Sequence, residues 1–368
     1  SGGIDSATGF ALMRQVHTGT VRTFSIGFTE PEWNEAPAAR LIAQHLGTQH
    51  EEFYLSEQNI LEAAHTAADH YDEPFADSSN IPTLALSRMT RQHVTVALSG
   101  DGGDELFWGY NSYTSRSVRN FSKFNAIPRP IRKLLSTGLR TLRGTRFERF
   151  GHVIGFDDFP SFFMCPSHWY PWLYPQLQRQ PATGNRFVGV GREVTSRIDK
   201  WDQHLLMGAM DLRCYLVDDI LTKVDRASMA YALEARVPVL DHKLVELACR
   251  IPSEIKMHGG EKKYLLKSVL SKYIPRTLWD RPKMGFGVPL GTWLRTSLKD
   301  WAYDELTGDN PALHQWLDKS QLRQMLDDHI SGKHEVADLI WACLQLAGWE
   351  RRIHAISNRA ERASLICS

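Results

Sequence analysis

A six-residue segment at positions 1–6, Ser-Gly-Gly-Ile-Asp-Ser, has the composition of a phosphate-binding loop. Its glycines let the backbone turn closely around an anion, and hydroxyl groups and one carboxylate flank them. Residues 7–15 are predicted to form a helix, so the loop amides would lie at a helix N-terminus, where the helix dipole favours an anion. Since one carboxylate beside a pyrophosphate suits Mg²⁺, the segment predicts cleavage of ATP between its α and β phosphates.

A second segment, residues 98–110, reads Leu-Ser-Gly-Asp-Gly-Gly-Asp-Glu-Leu-Phe-Trp-Gly-Tyr. Asp101, Asp104 and Glu105 crowd together here, which is unfavourable unless a cation relieves the repulsion. Because Mg²⁺ is usually held by one or two carboxylates plus phosphate oxygens, Asp5 and Asp104 are the candidate metal ligands. Taken alone, the segment is also compatible with a solvated acidic turn.

Cleavage at the α-phosphorus requires positive charge where pyrophosphate leaves. Lys263 is the best candidate, because it follows a Gly-Gly turn at the start of a predicted helix. Lys223 and Arg226 stand at i and i+3 on another helix and are predicted to face the same cleft. The alternative for both residues is ordinary ion pairing, for example of Lys223 with Asp219.

The elements that must position these residues alternate between strand and helix, which predicts a parallel sheet. Ligands bind at the carboxyl ends of the strands in such sheets, where the segment at 1–6 and the one after Leu98 would both fall. The predicted strands are 21–28, 50–54 and 93–98, and the predicted helices between them are 35–46 and 60–70.

The domain predicted over residues 1–354 has three parts and is followed by a polar tail at 355–368. The middle part contains many prolines and clusters of basic and aromatic residues, which predict short helices and loops. Because a phosphate-binding loop normally follows a buried strand, we expect further sequence upstream of residue 1. The three parts are a nucleotide-binding α/β part (1–114), a helical insertion or lid (115–204) and a helical part (205–354).

Composition indicates a globular protein, with 42% hydrophobic and 23% charged residues. Lys and Arg total 43 against 42 Asp and Glu, and this balance gives no reason to expect nucleic acid or an anionic membrane as a partner. Five cysteines without a CxxC pair favour a reduced compartment, and no apolar stretch reaches the length of a membrane span, so the cytoplasm is expected. The histidines show no zinc-binding spacing.

Seven segments in this order resemble the synthetase domain of the glutamine-hydrolysing asparagine synthetases. The likeness runs from residue 1 past Trp293. It implies an adenine-nucleotide α-hydrolase-like (Rossmann-like) parallel sheet with large helical additions. It also implies that aspartate and ATP give β-aspartyl-AMP and pyrophosphate, and that ammonia then gives asparagine and AMP. The segments are SGGIDS, FSIGF, DEPFADSSNIPT, LSGDGGDELFWGY, LTKVDRASMAYALEARVPVLDH, GEKKYLLK and RPKMGFGVPL.

The resemblance also implies roles for single residues. Ile26 would line the adenine site, Lys263 would grip the leaving pyrophosphate, and Asp104 would be the second carboxylate on Mg²⁺. The residues implied to hold the phosphates and Mg²⁺ are Ser1, Gly2, Gly3, Asp5 and Ser6. Those implied to contact the nucleotide are Ser99 and Gly100.

Two positions depart from the family pattern. Asp101 stands where the best-studied members of the family carry a glutamate tied to adenylate formation and to the second half-reaction, so its carboxylate is set back by one methylene. Trp108 replaces the first glycine of the usual Phe-Gly-Gly-Tyr, which changes a wall of the pocket. Both departures leave open a relative that adenylates another carboxylate, such as a β-lactam-forming synthetase or an amidotransferase acting on a cell-surface sugar or peptide.

The partners implied by the resemblance are aspartate and ammonia, the latter released from glutamine by an N-terminal glutaminase domain that these 368 residues do not contain. The sequence leaves open whether the chain forms a homodimer. A tRNA-thiolating or other nucleic-acid-modifying ATP pyrophosphatase would require cysteine pairs and a basic surface, and neither is predicted. A non-catalytic nucleotide-binding relic is a further alternative, against which the intact motifs argue.

Overall fold

The computed structural model describes residues 2–142, 146–164, 173–179, 186–197, 202–281 and 286–366. Ser1, a predicted residue of the phosphate-binding loop, lies outside these ranges. The strands are β1 (Arg22–Gly27), β2 (Gln49–Tyr54), β3 (Val96–Leu98) and β4 (Glu234–Arg236).

The helices, in chain order, are α1 (Ile4–Val16), α2 (Ala36–Leu46), α3 (Glu57–Thr66), α4 (Asn80–Arg91), α5 (Gly103–Phe107), α6 (Arg116–Asn125), α7 (Arg129–Arg140), α8 (Arg146–Gly155), α9 (Phe159–Phe163), α10 (Tyr174–Leu177), α11 (Arg186–Ser196), α12 (Gln203–Arg213), α13 (Thr222–Met229), α14 (His242–Arg250), α15 (Ser253–Lys256), α16 (Tyr264–Leu270), α17 (Arg276–Trp279), α18 (Leu290–Arg295), α19 (Lys299–Thr307), α20 (Pro311–His314), α21 (Lys319–Ile330) and α22 (Ala337–Ile366). Four 3₁₀ segments lie among the described residues, at Pro31–Trp33, Ala67–His70, Asn111–Thr114 and Pro238–Leu240, and a π-helix lies at Tyr215–Leu221.

Parallel strand pairing, expected from the strand–helix alternation, is confirmed. β1 pairs with β2, with Arg22 opposite Gln49, and β3 pairs with β4, with Val96 opposite Glu234. The described residues form two two-stranded sheets, whereas the sequence predicted one parallel sheet. β4 was not predicted, because Glu-Ala-Arg lacks the apolar residues of a buried strand and the strand has two exposed positions.

The chain divides into two compact units. The first contains Ser1–Ser99, Leu221–Arg236 and Ser271–Ser368, and the second contains Gly100–Ile220 and Val237–Leu270. The borders predicted after residues 114 and 204 therefore both fall inside the second unit. The physical reason is packing, because α12 and α14 follow the predicted insertion in sequence, yet both contact α5, which precedes it.

Helix α22 packs along the first unit with Trp341, Leu344 and Ala347 fully buried. Its last described contacts hold the chain around residue 71: Arg352 donates to the Tyr71 carbonyl at 2.6 Å, and the indole N–H of Trp349 donates to the Asp72 carbonyl at 2.7 Å. The helix continues to Ile366, so the predicted border between domain and polar tail, at residues 354 and 355, lies within it. No helix of the described ranges combines the length and apolar character needed to cross a bilayer.

Trp108 is the largest buried side chain of the second unit's aromatic core and is 1% exposed. It follows the last residue of α5 with a φ of 58°, a left-handed conformation that glycine usually occupies at a helix end. Lys256 Nζ lies 5.0 Å from the centre of the indole ring. The packing of Trp108 in this core offsets the strain of its left-handed backbone, which explains how tryptophan replaces the family glycine here. The rest of this core consists of Tyr113, Val118, Phe121, Val153, Phe162 and Met207.

A buried carboxyl group lies beside this core. The Tyr113 hydroxyl donates to Asp211 Oδ2 on α12 at 2.5 Å. Burial raises the pKa of Asp211 to about 7, although the Tyr113 hydrogen bond opposes this shift. The folded protein thus keeps a proton on Asp211 at mildly acidic pH.

Replacing Trp108 tests the balance of packing and backbone strain. We expect Trp108→Ala to lower the free energy of unfolding by about 3–5 kcal/mol, because it leaves a cavity in the core. Trp108→Gly should be about 1 kcal/mol less destabilising than Trp108→Ala, because glycine adopts a left-handed backbone without strain. Urea denaturation of the two variants measures this difference, and a glycine variant less stable than the alanine variant would contradict the account.

Asp211 should make stability depend on pH. Its folded-state pKa lies above the ~3.9 of an unfolded chain, so the folded protein binds more protons than the unfolded one between about pH 4 and pH 7. The free energy of unfolding should therefore fall as the pH rises through this window, by at most about 1.4 kcal/mol per pH unit from this group. Asp211→Asn should flatten the profile in urea denaturation, whereas Glu246→Gln at an exposed position of α14 should not. Equal slopes for wild type and Asp211→Asn would refute the assignment.

Candidate functional site

The helix predicted from residue 7 is present but begins three residues earlier, directly after the glycine pair. Helix α1 begins at Ile4 with Gly3 as its N-terminal cap, and Asp5 lies in its first turn. The Ser6 hydroxyl donates to the Gly3 carbonyl at 3.2 Å. First-turn N–H groups lie outside a helix's own hydrogen-bond pattern, and the helix dipole is positive at this end. The arrangement is suited to an anion.

Arg281 brings a cation to this loop. Its guanidinium donates to the Gly2 carbonyl at 2.6 Å, and burial lowers the pKa of Arg281. A Cβ atom at Gly2 would lie 1.8 Å from the guanidinium nitrogen, so only glycine allows this contact. Sequence reasoning did not connect Arg281 with this loop, because 279 positions separate it from Gly2.

Ser99 follows β3 in the first unit, and its backbone N–H donates to the Arg236 carbonyl at 2.9 Å. Its hydroxyl oxygen is buried and has no hydrogen-bond partner within the described ranges. Buried hydroxyls normally have partners, so this atom is suited to a ligand. The prediction that Ser99 contacts a nucleotide is compatible with this geometry and stays a prediction.

Ile26 is buried on β1 and lines a hollow of about 20 Å³, close to the size of one water molecule. Phe28, Trp33 and Phe286 lie in the same wall. An adenine ring is several times larger than this hollow. The contact of Ile26 with adenine stays a prediction.

Lys223 and Arg226 lie in different environments although they are one turn apart on α13. Lys223 is buried, and its ammonium donates to Asp77 Oδ2 and to the Ser79 hydroxyl, both at 2.7 Å. Burial disfavours the charged form of Asp77, but Lys223 and Ser79 hold its pKa below the ordinary value. Arg226 is 44% exposed and forms an ion pair with Asp72.

Asn80, which follows this polar group, is fully buried at the start of α4. Neither atom of its side-chain amide has a hydrogen-bond partner within the described residues. One donor and one acceptor group thus remain for a ligand or an ordered water. Sequence reasoning missed Asp77 and Asn80 as site residues, although both lie in the segment ADSSNIPT that contributes to the family resemblance.

In the second unit, Lys263 and Asp104 form an ion pair with Nζ and Oδ1 2.7 Å apart. Lys263 is 4% exposed and has a φ of 54°, so its backbone is held in the left-handed region. A Cβ atom at Gly109 would lie 1.7 Å from the Asp104 oxygen and 2.2 Å from Lys263 Cε. Any other residue at 109 would therefore displace the Asp104 carboxylate or the Lys263 side chain from this geometry.

The three clustered carboxylates of the second segment have separate surroundings. Glu105 is buried and accepts a hydrogen bond from the Tyr110 hydroxyl at 2.6 Å. Burial raises the pKa of Glu105 despite this hydrogen bond. Asp104 contacts Lys263, and Asp101 is half-buried in the turn before Gly102. The expected repulsion between the carboxylates is thus relieved in two ways, neither of which the sequence revealed. Lys263 pairs with Asp104, and burial favours the neutral form of Glu105.

No group of three or more His, Cys, Asp or Glu side chains arranged for a metal ion occurs in the part of the chain that the structure describes. A site for Mg²⁺ needs fewer protein ligands, because phosphate oxygens and water complete the shell. Asp5 and Asp104 offer hard carboxylate oxygens of the kind that Mg²⁺ prefers. The donor chemistry therefore fits the ion, and both remain predicted ligands.

The structure places the predicted site residues in two sets. Sequence reasoning missed Arg281 and Asp77 in the first unit and Glu105 and Tyr110 in the second. The predicted residues in the first unit are Gly2, Gly3, Asp5, Ser6, Ile26, Ser99, Lys223 and Arg226, and those in the second are Gly100, Asp101, Asp104 and Lys263.

Comparisons with known proteins agree with the resemblance. Glutamine-hydrolysing asparagine synthetase 1 of Bacillus subtilis is 30% identical over 363 residues, which cover 95% of this chain and 55% of the relative. A putative glutamine-hydrolysing asparagine synthetase of Mycobacterium tuberculosis is 32% identical over 371 residues, which cover 97% of this chain and 54% of the relative. The chain thus spans about half the length of these curated relatives. The Asparagine synthase family pattern matches residues 1–351, and the chain belongs to the asparagine synthase family.

Proposed function

We propose that this protein is an ATP-dependent ligase that converts the side-chain carboxylate of aspartate into the amide of asparagine. The observation that carries the proposal is the buried Lys263–Asp104 ion pair, 2.7 Å long, held against Gly109. A fixed ammonium group is what the departure of pyrophosphate requires. The names of the relatives as asparagine synthetases support the same reaction.

In the first half-reaction, an oxygen of the aspartate carboxylate attacks the α-phosphorus of ATP. The bond from this phosphorus to the bridging oxygen breaks, and pyrophosphate leaves with its electron pair. The remaining product is β-aspartyl-AMP. Because displacement at phosphorus depends on positioning and electrostatic stabilisation, fixed cations and backbone amides are the main contribution of the protein.

The phosphate groups bind at the N-terminus of α1. Gly2 and Gly3 allow the close approach, and Arg281 adds a cation 2.6 Å from the Gly2 carbonyl oxygen. Ser1 and Ser6 are assigned to the same phosphate groups. Lys223 donates two of its three N–H groups to Asp77 and Ser79, which leaves one for a phosphate oxygen. The nucleotide contacts are assigned to Ile26, Ser99 and Gly100, and Arg226 supplies a further cation nearby in the sequence.

Asp5 and Asp104 are the proposed ligands of Mg²⁺, which when bound neutralises charge on the phosphate oxygens. Lys263 stabilises the negative charge that develops on the leaving pyrophosphate. Asp104 orients the ammonium of Lys263 before ATP binds.

In the second half-reaction, ammonia attacks the acyl carbon of β-aspartyl-AMP. The acyl–oxygen bond breaks and AMP leaves with the electron pair. Asp101 accepts the proton lost by the attacking nitrogen, from a position one methylene further back than the family glutamate. Glutamine is the proposed source of ammonia, through a glutaminase domain encoded upstream of residue 1.

The proposed function is tested by aspartate-dependent exchange of labelled pyrophosphate into ATP, with ammonium salt supplied so that no glutaminase is needed. We expect aspartate to stimulate exchange and asparagine to accumulate, and Asp5→Asn to abolish both while the circular dichroism spectrum stays unchanged. If a different carboxylic acid stimulated the exchange and aspartate did not, the protein would be a ligase that acts on that other carboxylic acid. No exchange with any carboxylate would refute the ligase assignment.

Lys263→Ala should lower the rate of adenylate formation by about 10²–10³ and ATP affinity by less than about tenfold, because Lys263 acts on charge that develops in the transition state. Lys267→Ala is the matched control, since Lys267 forms a similar ion pair with Glu261 at 2.8 Å. Single-turnover kinetics with ATP titration separate the two effects. Equal losses of rate and affinity would make Lys263 a ground-state binding residue.

A further inference from the structure

The α7–α8 hairpin of the second unit packs through small and polar side chains. The Ser136 hydroxyl donates to the Gly151 carbonyl at 2.7 Å, and a Cβ atom at Gly151 would lie 2.9 Å from Leu139 Cβ. Arg132, on the same face of α7, is 4% exposed. The helices thus approach closely at Gly151, and the face of α7 that turns inward is not its most apolar one.

The apolar face of α7 points into solvent. Ile131, Leu134 and Leu135 stand at i, i+3 and i+4, and Leu134 is 75% exposed, whereas the other two are about half exposed. Phe147 and Phe150 of α8 are also exposed. A soluble protein rarely leaves such a stripe without a function, so these residues indicate a surface that binds something.

The surroundings of this stripe are strongly basic. Residues 116–149 contain ten of the 43 Lys and Arg residues of the chain but only one of its 42 acidic residues, Glu148, which is buried. Just beyond α8, Asp157 lies within 4 Å of three cations: Arg129 at 2.6 Å, Arg132 at 3.6 Å and Lys133 at 3.9 Å. One carboxylate cannot neutralise three cations. The hairpin therefore keeps a positive surplus that the net charge of +1 conceals.

We infer that the α7–α8 hairpin docks on the surface of an anionic lipid bilayer. Exposed cations attract anionic headgroups, and leucine and phenylalanine side chains enter the boundary between headgroups and acyl chains. This inference is independent of the proposed function, and it replaces the expectation from overall composition that no membrane is a partner.

Other occupants fit these side chains less well. In a symmetric dimer the same face meets itself, so two positive surfaces would be brought together. Nucleic acid would satisfy the cations, but its phosphates offer nothing to Leu134 and its neighbours. A bilayer with anionic headgroups satisfies both the charge and the apolar stripe.

The test is flotation of the 368-residue protein with two kinds of vesicle: phosphatidylcholine alone, and equal parts of phosphatidylcholine and phosphatidylglycerol. We expect binding to the anionic vesicles to be at least about tenfold stronger and to weaken as salt is raised. Leu134→Glu should abolish the binding. Lys133→Gln and Arg140→Gln should each weaken it by about fivefold, the effect of one surface cation.

The matched controls lie on α14 of the same unit. Leu247→Glu replaces an exposed leucine and Lys243→Gln an exposed lysine, and neither should change binding. Equal binding to the two kinds of vesicle, no binding, or equal losses in the hairpin and control variants would overturn the inference. It would also be overturned if sedimentation without vesicles showed a dimer that Leu134→Glu dissociates. Thermal unfolding of each variant checks that the fold is retained.

Discussion

The constraint on which the candidate chemistry depends is the burial of one ammonium group. Lys263 is almost inaccessible to solvent, and a buried charge is unfavourable unless a partner of opposite sign is within contact distance. Asp104 supplies this partner at 2.7 Å, and it can approach only because residue 109 has no side chain. The left-handed backbone at Lys263 belongs to the same arrangement. Burial, an acidic partner, the glycine at 109 and the left-handed backbone at 263 thus meet in one ion pair.

Sequence patterns predicted the parts of this protein that depend on near neighbours. The strand at Arg22–Gly27 and the helices on either side of it are apolar at the spacing of their element, so their positions were predicted within a few residues. The glycines and hydroxyl of the first segment, and the lysine after a Gly-Gly turn, carried enough chemistry to name candidate residues. The resemblance to one family then linked these segments.

Contacts between distant positions were beyond such reasoning. Lys223 and Asp77 are 146 positions apart. No local spacing indicates that a lysine on one helix forms an ion pair with a carboxylate that precedes another helix. Arg281 reaches Gly2 over a still greater separation. Trp108 shows a different limit, because a tryptophan in a left-handed conformation contradicts backbone preference and is explained only by the core around it. Packing on α5 likewise joins α12 and α14, which the sequence places far from α5.

Helix α22 has a consequence for how this family is delimited. The family pattern ends at residue 351, one position before the arginine that donates to the Tyr71 carbonyl. The segment around Tyr71 leads directly to the half-buried Asp77 and the buried Asn80. An expression clone that ended at residue 351 would thus keep every motif residue. It would lose the hydrogen bond from Arg352 that holds the segment leading to Asp77 and Asn80. For proteins of this kind, a boundary drawn where sequence similarity fades is not the boundary of the folding unit.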